Sequence, residues 1–217
     1  MRFRIVYDNI AKDGFDSGWG FACLVELENE TILFDTGWDG NVLLSNLKNF
    51  GVDPLDIDKI VLSHAHWDHI GGLTHVMRPD MSVYLPQSFS EHMKGELKTR
   101  LDLHEVEKPQ EIMEGVYTTG ELENKIEEQS LVLDTSNGMI VLVGCSHPGV
   151  PQILSTSSEF GDLNGIIGGL HGFDEYEVLS DLDLIVATHC TKNKETISEL
   201  YPENYFPGKA GMEISLE

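Results

Sequence analysis

The sequence predicts an α/β protein in which two β-sheets are flanked by helices, and three observations carry that expectation. Short apolar runs such as Ile60-Val61-Leu62, Gly165-Ile166-Ile167-Gly168 and Leu184-Ile185-Val186-Ala187 have the length and composition of buried strands. Between such runs lie helical stripes such as Leu43, Leu47 and Phe50. In both halves the strands end in small residues and histidines. Polar groups gathered at the strand ends of one edge are where a layered α/β protein builds its site.

The elements follow in order. Strands are expected near 2–7, 21–27 and 31–35, the last two joined by the turn Glu28-Asn29-Glu30. The helix carrying Leu43, Leu47 and Phe50 is stopped by Gly51. Asp53-Pro54 begins the turn into the strand at Ile60. Phe89, Met93 and Leu97 stripe a core-facing helix near 88–98. The second half reads as strands near 116–119, 130–135 and 139–144, then alternating helix and strand as far as His189. At 217 residues, with no low-complexity linker, composition break or fixed-period repeat, the chain is expected to form a single domain over 1–217.

Bulk properties narrow the function. Hydrophobic residues at 41% and charged residues at 24% are those of a soluble globular protein. No apolar run approaches the roughly 20 residues of a membrane span. The first residues alternate like a strand, without the apolar stretch and cleavage site of a signal peptide. A cytoplasmic protein without a membrane partner is expected. With 37 acidic residues against 14 basic, the formal net charge is −23. Such a surface repels nucleic acid, so a small-molecule substrate is expected instead. The oligomeric state is left open. Cys23, Cys145 and Cys190 are odd in number and widely spaced, which implies no disulfide framework. Cys23 lies in an apolar strand as a core residue. Cys145 and Cys190 each adjoin a candidate ligand, and are open between a soft group behind the ligands and a packing role.

The stretch Ser63-His64-Ala65-His66-Trp67-Asp68-His69-Ile70-Gly71-Gly72 carries the chemistry. It places three histidines and an aspartate in the loop directly after the strand Ile60-Val61-Leu62. If its first residues stay extended, His64 and His66 point the same way, because side chains alternate with period two. Asp68 and His69, beyond the bend, reach a second point. Imidazole nitrogen and carboxylate oxygen are ligands for divalent transition metals, so the motif predicts bound metal, with two ions. A structural zinc site is disfavoured because paired cysteines are absent.

The pattern His-x-His-x-Asp-His resembles the signature of the metallo-β-lactamase fold superfamily. Leu33-Phe34-Asp35-Thr36-Gly37, Gly144-Cys145-Ser146-His147-Pro148-Gly149 and Ala187-Thr188-His189-Cys190-Thr191 resemble its other strand-end motifs. Together with Tyr7-Asp8-Asn9, Trp19-Gly20-Phe21 and Gly168-Gly169-Leu170-His171, they are similar to one branch. That branch is named after 7,8-dihydropterin-6-yl-methyl-4-(β-D-ribofuranosyl)aminobenzene 5′-phosphate synthase. The resemblance implies a four-layer αββα sandwich of the metallo-β-lactamase type.

It also implies roles. His64 and His66 bind one metal, with His147 as the natural third ligand, while Asp68, His69 and His189 bind the other. The chain departs from the superfamily's common hydrolases, since Tyr117-Thr118-Thr119-Gly120-Glu121 holds no histidine and the strand end near Cys145 no aspartate. His147 takes one of those two places. His171 is open between a ligand, a proton donor facing the substrate, and a histidine bonded behind the ligands. Asp35 is expected to accept the second N–H of a ligand imidazole, a role compatible with capping the Asp-Thr-Gly turn. Gly71 and Gly72 let the backbone pass close under the metals. His75, His92 and His104 are expected to be ordinary surface or helix residues. Zinc suits the imidazole-rich set best, and iron or manganese also fit it.

The expected activity is metal-dependent hydrolysis of a small ester, lactone or phosphoester, with Asp68 and His171 as catalytic residues. The alternative implied by the branch is a transferase joining a pterin to a ribofuranosylaminobenzene phosphate, in the formation of methanopterin-type cofactors. A metal-binding sensor or inactive relative is a third reading, against which the retained ligand set argues. Lys192 and Lys194 are the cations beside a ligand motif that could meet a phosphate. Trp19, Trp38 and Trp67 could wall a flat ring.

Overall fold

The computed structural model describes residues 1–79 and 81–216, in two compact units: Met1–Glu107 with Lys209–Leu216, and Lys108–Gly208. In the first unit, β1 (Arg2–Tyr7) buries Phe3 and Ile5 between exposed Arg2 and half-buried Arg4, the period-two pattern of a strand. It runs antiparallel to β2 (Ala22–Glu26), which pairs in turn with β3 (Thr31–Phe34), Cys23 opposite Phe34. From β3 onward the sheet is parallel, through β4 (Lys59–Val61), β5 (Ser82–Pro86) and β6 (Asp102–Val106).

Helix α1 (Gly40–Asn49) begins where the Asp39 carboxylate accepts the Asn41 N–H at 2.8 Å. It ends at Gly51, whose φ of 73° a side chain would resist. Its buried Leu43 and Leu47 pack with Val6, Leu24, Leu33, Ile60 and Val83 into one core. Each such leucine contributes about 1.5–3 kcal/mol by leaving water. Two single-turn helices follow β4, α2 (Trp67–Ile70) and α3 (Leu73–Val76). Asp68 and His69 therefore stand on a helix, where the sequence suggests a loop. Helix α4 (Glu91–Lys98) starts at Ser90, whose hydroxyl accepts the Met93 N–H. It is shorter than the expected 88–98, and Phe89 is buried just ahead of it.

The second unit begins with an antiparallel run: β7 (Gln110–Met113), β8 (Val116–Thr118), β9 (Leu131–Thr135) and β10 (Gly138–Val143). Helix α5 (Val150–Ser157), with Pro151 in its first turn, carries the chain to β11 (Leu163–Gly168), parallel to β10. Then come β12 (Leu184–Ala187), α6 (Lys194–Leu200) and β13 (Tyr205–Pro207), extending the sheet in parallel. Ile153 and Leu154 of α5 pack with Val141, Val143, Ile166 and Ile185. The strand order is β13-β12-β11-β10-β9-β8-β7.

The last strand, β14 (Glu213–Ser215), belongs to the first unit. It pairs antiparallel with β1, Arg2 opposite Ser215 and Arg4 opposite Glu213, and makes the order β14-β1-β2-β3-β4-β5-β6. Arg4 ties it down through Glu213, at 2.7 Å, while also meeting Glu26 at 3.1 Å. Two mixed sheets with helices are the expected fold class, and most strands fall where the sequence reading places them. Strands β5, β6, β7, β13 and β14 were not foreseen in it. Among the described residues no helix is long and apolar enough to cross a membrane.

Candidate metal centre

Each unit gathers potential ligands at the C-terminal ends of its strands. In the first unit the anchor is Asp35, fully buried just after β3. Its N–H continues the strand ladder to Val61 O at 2.8 Å. One carboxylate oxygen accepts the Ser63 backbone N–H, and the other accepts the Ser63 hydroxyl and meets His69 Nδ1, all at 2.7 Å. An ionised carboxylate only accepts, so His69 donates from Nδ1, and in the neutral ring it is Nε2 that carries the lone pair. The same logic passes along to His64. Because the Ser63 hydroxyl is spent on Asp35, its oxygen accepts from His64 Nδ1, 2.8 Å away.

His64 Nε2 lies 3.0 Å from His66 Nδ1, so the two rings converge as the alternating strand geometry predicts. Two nitrogens on one tetrahedral zinc, each about 2.0–2.1 Å from it, are roughly 3.3 Å apart. Asp68 and His69 are set by α2, whose backbone is tied to the neighbouring turns. Phe21 N–H donates to Asp68 O at 3.2 Å, and Thr36 donates to His69 O through its N–H at 2.7 Å and its hydroxyl at 3.0 Å. Gly71 and Gly72 serve this packing. A side chain on Gly71 would strike the carbonyls of Trp38 and Trp67, and one on Gly72 the carbonyl of Thr36.

In the second unit the anchor is Glu128, which the sequence reading missed. It is fully buried and accepts the backbone N–H groups of Gly144, Cys145 and Ser146 on one oxygen, at 3.1, 2.8 and 3.0 Å. Its other oxygen accepts the His147 N–H at 3.0 Å and meets His147 Nδ1 at 2.8 Å. His147 is thereby oriented as His69 is, with Nε2 turned away from the carboxylate as the atom that could hold a metal. His171 follows β11 with its ring centroid 5.3 Å from that of His147. Partial burial, and then the neighbouring His147 and Lys192, hold His171 below the ordinary histidine range. His189 follows β12 and is buried, between Thr188, whose N–H donates to Gly168 O, and Cys190.

Four non-glycine residues among those described have positive φ: Asp35 (57°), Ser146 (58°), His171 (49°) and His189 (37°). All lie just beyond a strand end, where the left-handed conformation turns the side chain off the strand path. Such backbone is sparsely populated and clusters at functional sites.

The remaining candidates are placed plainly. His75 and His92 are exposed on helices, and His104 lies on β6, stacked on Tyr84 and bonded to Asp102. Trp19, Trp38 and Trp67 are all exposed. Trp67 lines a cavity of about 380 Å³ with Ile70, Leu73, Met77, Met93 and Leu97. Lys192 donates its backbone N–H to His171 O at 2.8 Å, whereas Lys194 lines a surface cleft with Glu195 and Tyr205. Imidazoles whose Nδ1–H is fixed by a buried carboxylate are the donor chemistry of a divalent transition metal, so the residues present fit such an ion.

Known proteins agree with this reading of the fold. An uncharacterised protein of Methanocaldococcus jannaschii is 27% identical, covering 98% of this chain and 99% of its own. The 7,8-dihydropterin-6-methyl-4-(beta-D-ribofuranosyl)-aminobenzene-5′-phosphate synthase of the same organism is 29% identical, over 80% of this chain and 76% of its own. Among solved structures, Tm1679, described as a metal-dependent hydrolase of the beta-lactamase superfamily, superposes with a TM-score of 0.82 at 25% identity, covering 100% of this chain and 99% of its own. The family model of the metallo-beta-lactamase superfamily matches residues 20–158, and the chain belongs to that superfamily.

Proposed function

We propose that the protein is a metal-dependent hydrolase of small substrates, phosphoesters included, using two divalent ions. The proposed ligands are His64, His66, Asp68, His69, His147 and His189, with zinc the best-suited metal. The observation that carries the reading is the repeated device of a buried carboxylate on an imidazole Nδ1, Asp35 on His69 and Glu128 on His147. That arrangement costs burial of two charges and is repaid where the other ring nitrogen binds metal. Bound divalent ions would supply Lewis acidity and lower the pKa of water. The chain's own part is to hold the ligand rings in one tautomer, to accept or orient a proton at Asp68, and to present His171 toward the substrate.

Elemental analysis of protein purified without added metal, beside its His147→Ala variant, tests the centre. About two equivalents of zinc, falling to one or fewer in the variant, is the expected result. Low content unaffected by the substitution would overturn the ligand set. Turnover of a panel of small esters, lactones and phosphoesters tests the hydrolase assignment.

The second reading is a synthase-like transferase, favoured by the 29% identity to the pterin-linked synthase. The exposed Trp67 beside an apolar cavity suits a flat ring, and Lys192 beside His171 suits a phosphate. Product formation from a dihydropterin and a phosphorylated ribofuranosylaminobenzene, with no hydrolysis across the panel, would select this reading. We further propose that the protein works in the cytoplasm, on small molecules and without nucleic acid.

A further inference from the structure

The second unit holds two cysteines that the proposed hydrolase centre does not use, and they meet one of its ligands, His189. Cys145, His189 and Cys190 each offer a ligand atom, and these atoms lie within 4.8 Å of one another. Cys145 and His189 are buried and Cys190 is half-buried. Both cysteines are thiols, and Cys190 Sγ donates to Cys145 O at 3.7 Å.

Topology explains the meeting. Cys145 lies beyond the end of β10 and Cys190 beyond the end of β12, with β11 between those strands. The strand in the middle ends in Gly168-Gly169, and Gly169 leaves the gap open. A Cβ there would come within 2.6 Å of Cys190 Sγ and 3.4 Å of the Cys145 Cα. Thus the two thiols approach each other across a glycine, next to an imidazole already buried.

We propose that Cys145, His189 and Cys190 form a second metal site, one that takes a thiophilic divalent ion of the Zn²⁺ or Cd²⁺ kind. Thiolates select such ions over magnesium, calcium or manganese, which prefer oxygen. Two thiolates and a neutral imidazole balance a divalent charge, as a buried site requires. Zinc–sulfur bonds of about 2.3 Å and zinc–nitrogen bonds of about 2.0–2.1 Å set tetrahedral donors roughly 3.5–3.8 Å apart. The present spacing, within 4.8 Å, must close by about an ångström for binding. Binding releases both thiol protons. His189 is shared with the proposed hydrolase ligands, so a thiophilic ion seated here withdraws it from them. Among the described residues, Cys190 enters no other group of potential ligands.

The test is titration of the metal-free full chain with Cd²⁺, following thiolate-to-cadmium charge-transfer absorption in the ultraviolet. Wild-type protein should develop the band with one ion per chain. Cys145→Ser and Cys190→Ser should each lose most of it, and His189→Ala should weaken binding. His64→Ala, which dismantles the other ligand group, should keep the band, so failure of the hydrolase reading and failure of this one are distinguishable. Absence of the band in wild type would overturn the proposal. So would its full survival in both cysteine variants, or its loss in His64→Ala. Should a variant fail to fold, Cd²⁺ protection of Cys145 and Cys190 from alkylation in wild type, read by mass spectrometry, decides the same question.

Discussion

Asp35 and Glu128 do the same job with different means, and the difference explains why only one was legible. Asp35 sits in a compact motif, Asp-Thr-Gly, at the end of an apolar strand, so its role could be anticipated from neighbours in sequence. Glu128 is 19 residues from His147, and most of what it binds is backbone N–H, which leaves no residue-type signature. Glu128→Gln should lower metal affinity about 10–100-fold by weakening its hold on His147, as measured by competition with a chelator. Glu128→Ala should go further and destabilise the fold. It leaves several buried N–H groups without their acceptor, at about 1–3 kcal/mol each, and urea denaturation would show the loss. Among the left-handed residues, His171→Gly removes a backbone cost of order 1 kcal/mol. A raised thermal midpoint with altered turnover is expected from that variant.

At the scale of elements, legibility followed burial. Strands buried on both faces, such as β4, β10 and β12, read directly as apolar runs. The four strands at the sheet edges did not. Asp102–Val106 and Gln110–Met113 mix charged and apolar residues, as edge strands do to discourage pairing with other chains. The parallel edge carries its own electrostatic fastening. Lys94 of α4 is buried, and its ammonium meets Glu105 of β6 and the Gln87 carbonyl, both at 2.8 Å. The hydrogen bond from Lys94, then that from Lys98, holds Glu105 below the usual carboxylate range. A group whose folded pKa is depressed contributes stability above its unfolded pKa and loses it as pH falls through the folded value. Glu105→Gln should therefore cost on the order of 1 kcal/mol at neutral pH, solvent screening of the partly exposed pair included, and the gap to wild type should close in acid. Denaturation midpoints at both pH values measure it.

For the molecule as a whole, the fold class was the most legible property, because histidines at strand ends mark both the architecture and its working edge. The net charge of −23 was legible too, and it bears on stability. Like charges repel in the compact state, and salt screens them over about 10 Å at 0.1 M. Raising ionic strength from a few millimolar to that level should raise the thermal midpoint, as followed by circular dichroism. A fall instead would mean that attractive pairs such as those of Arg4 and Lys94 outweigh the general repulsion. The return of β14 to β1 has a temporal meaning. On the ribosome β1 is made well before its outer neighbour, which comes far later in the chain. Until then the nascent first sheet presents β1 as an open edge, competent to pair with another nascent chain. A stop codon after residue 208 would make that transient exposure permanent, so the shortened product should aggregate where the full chain stays dispersed.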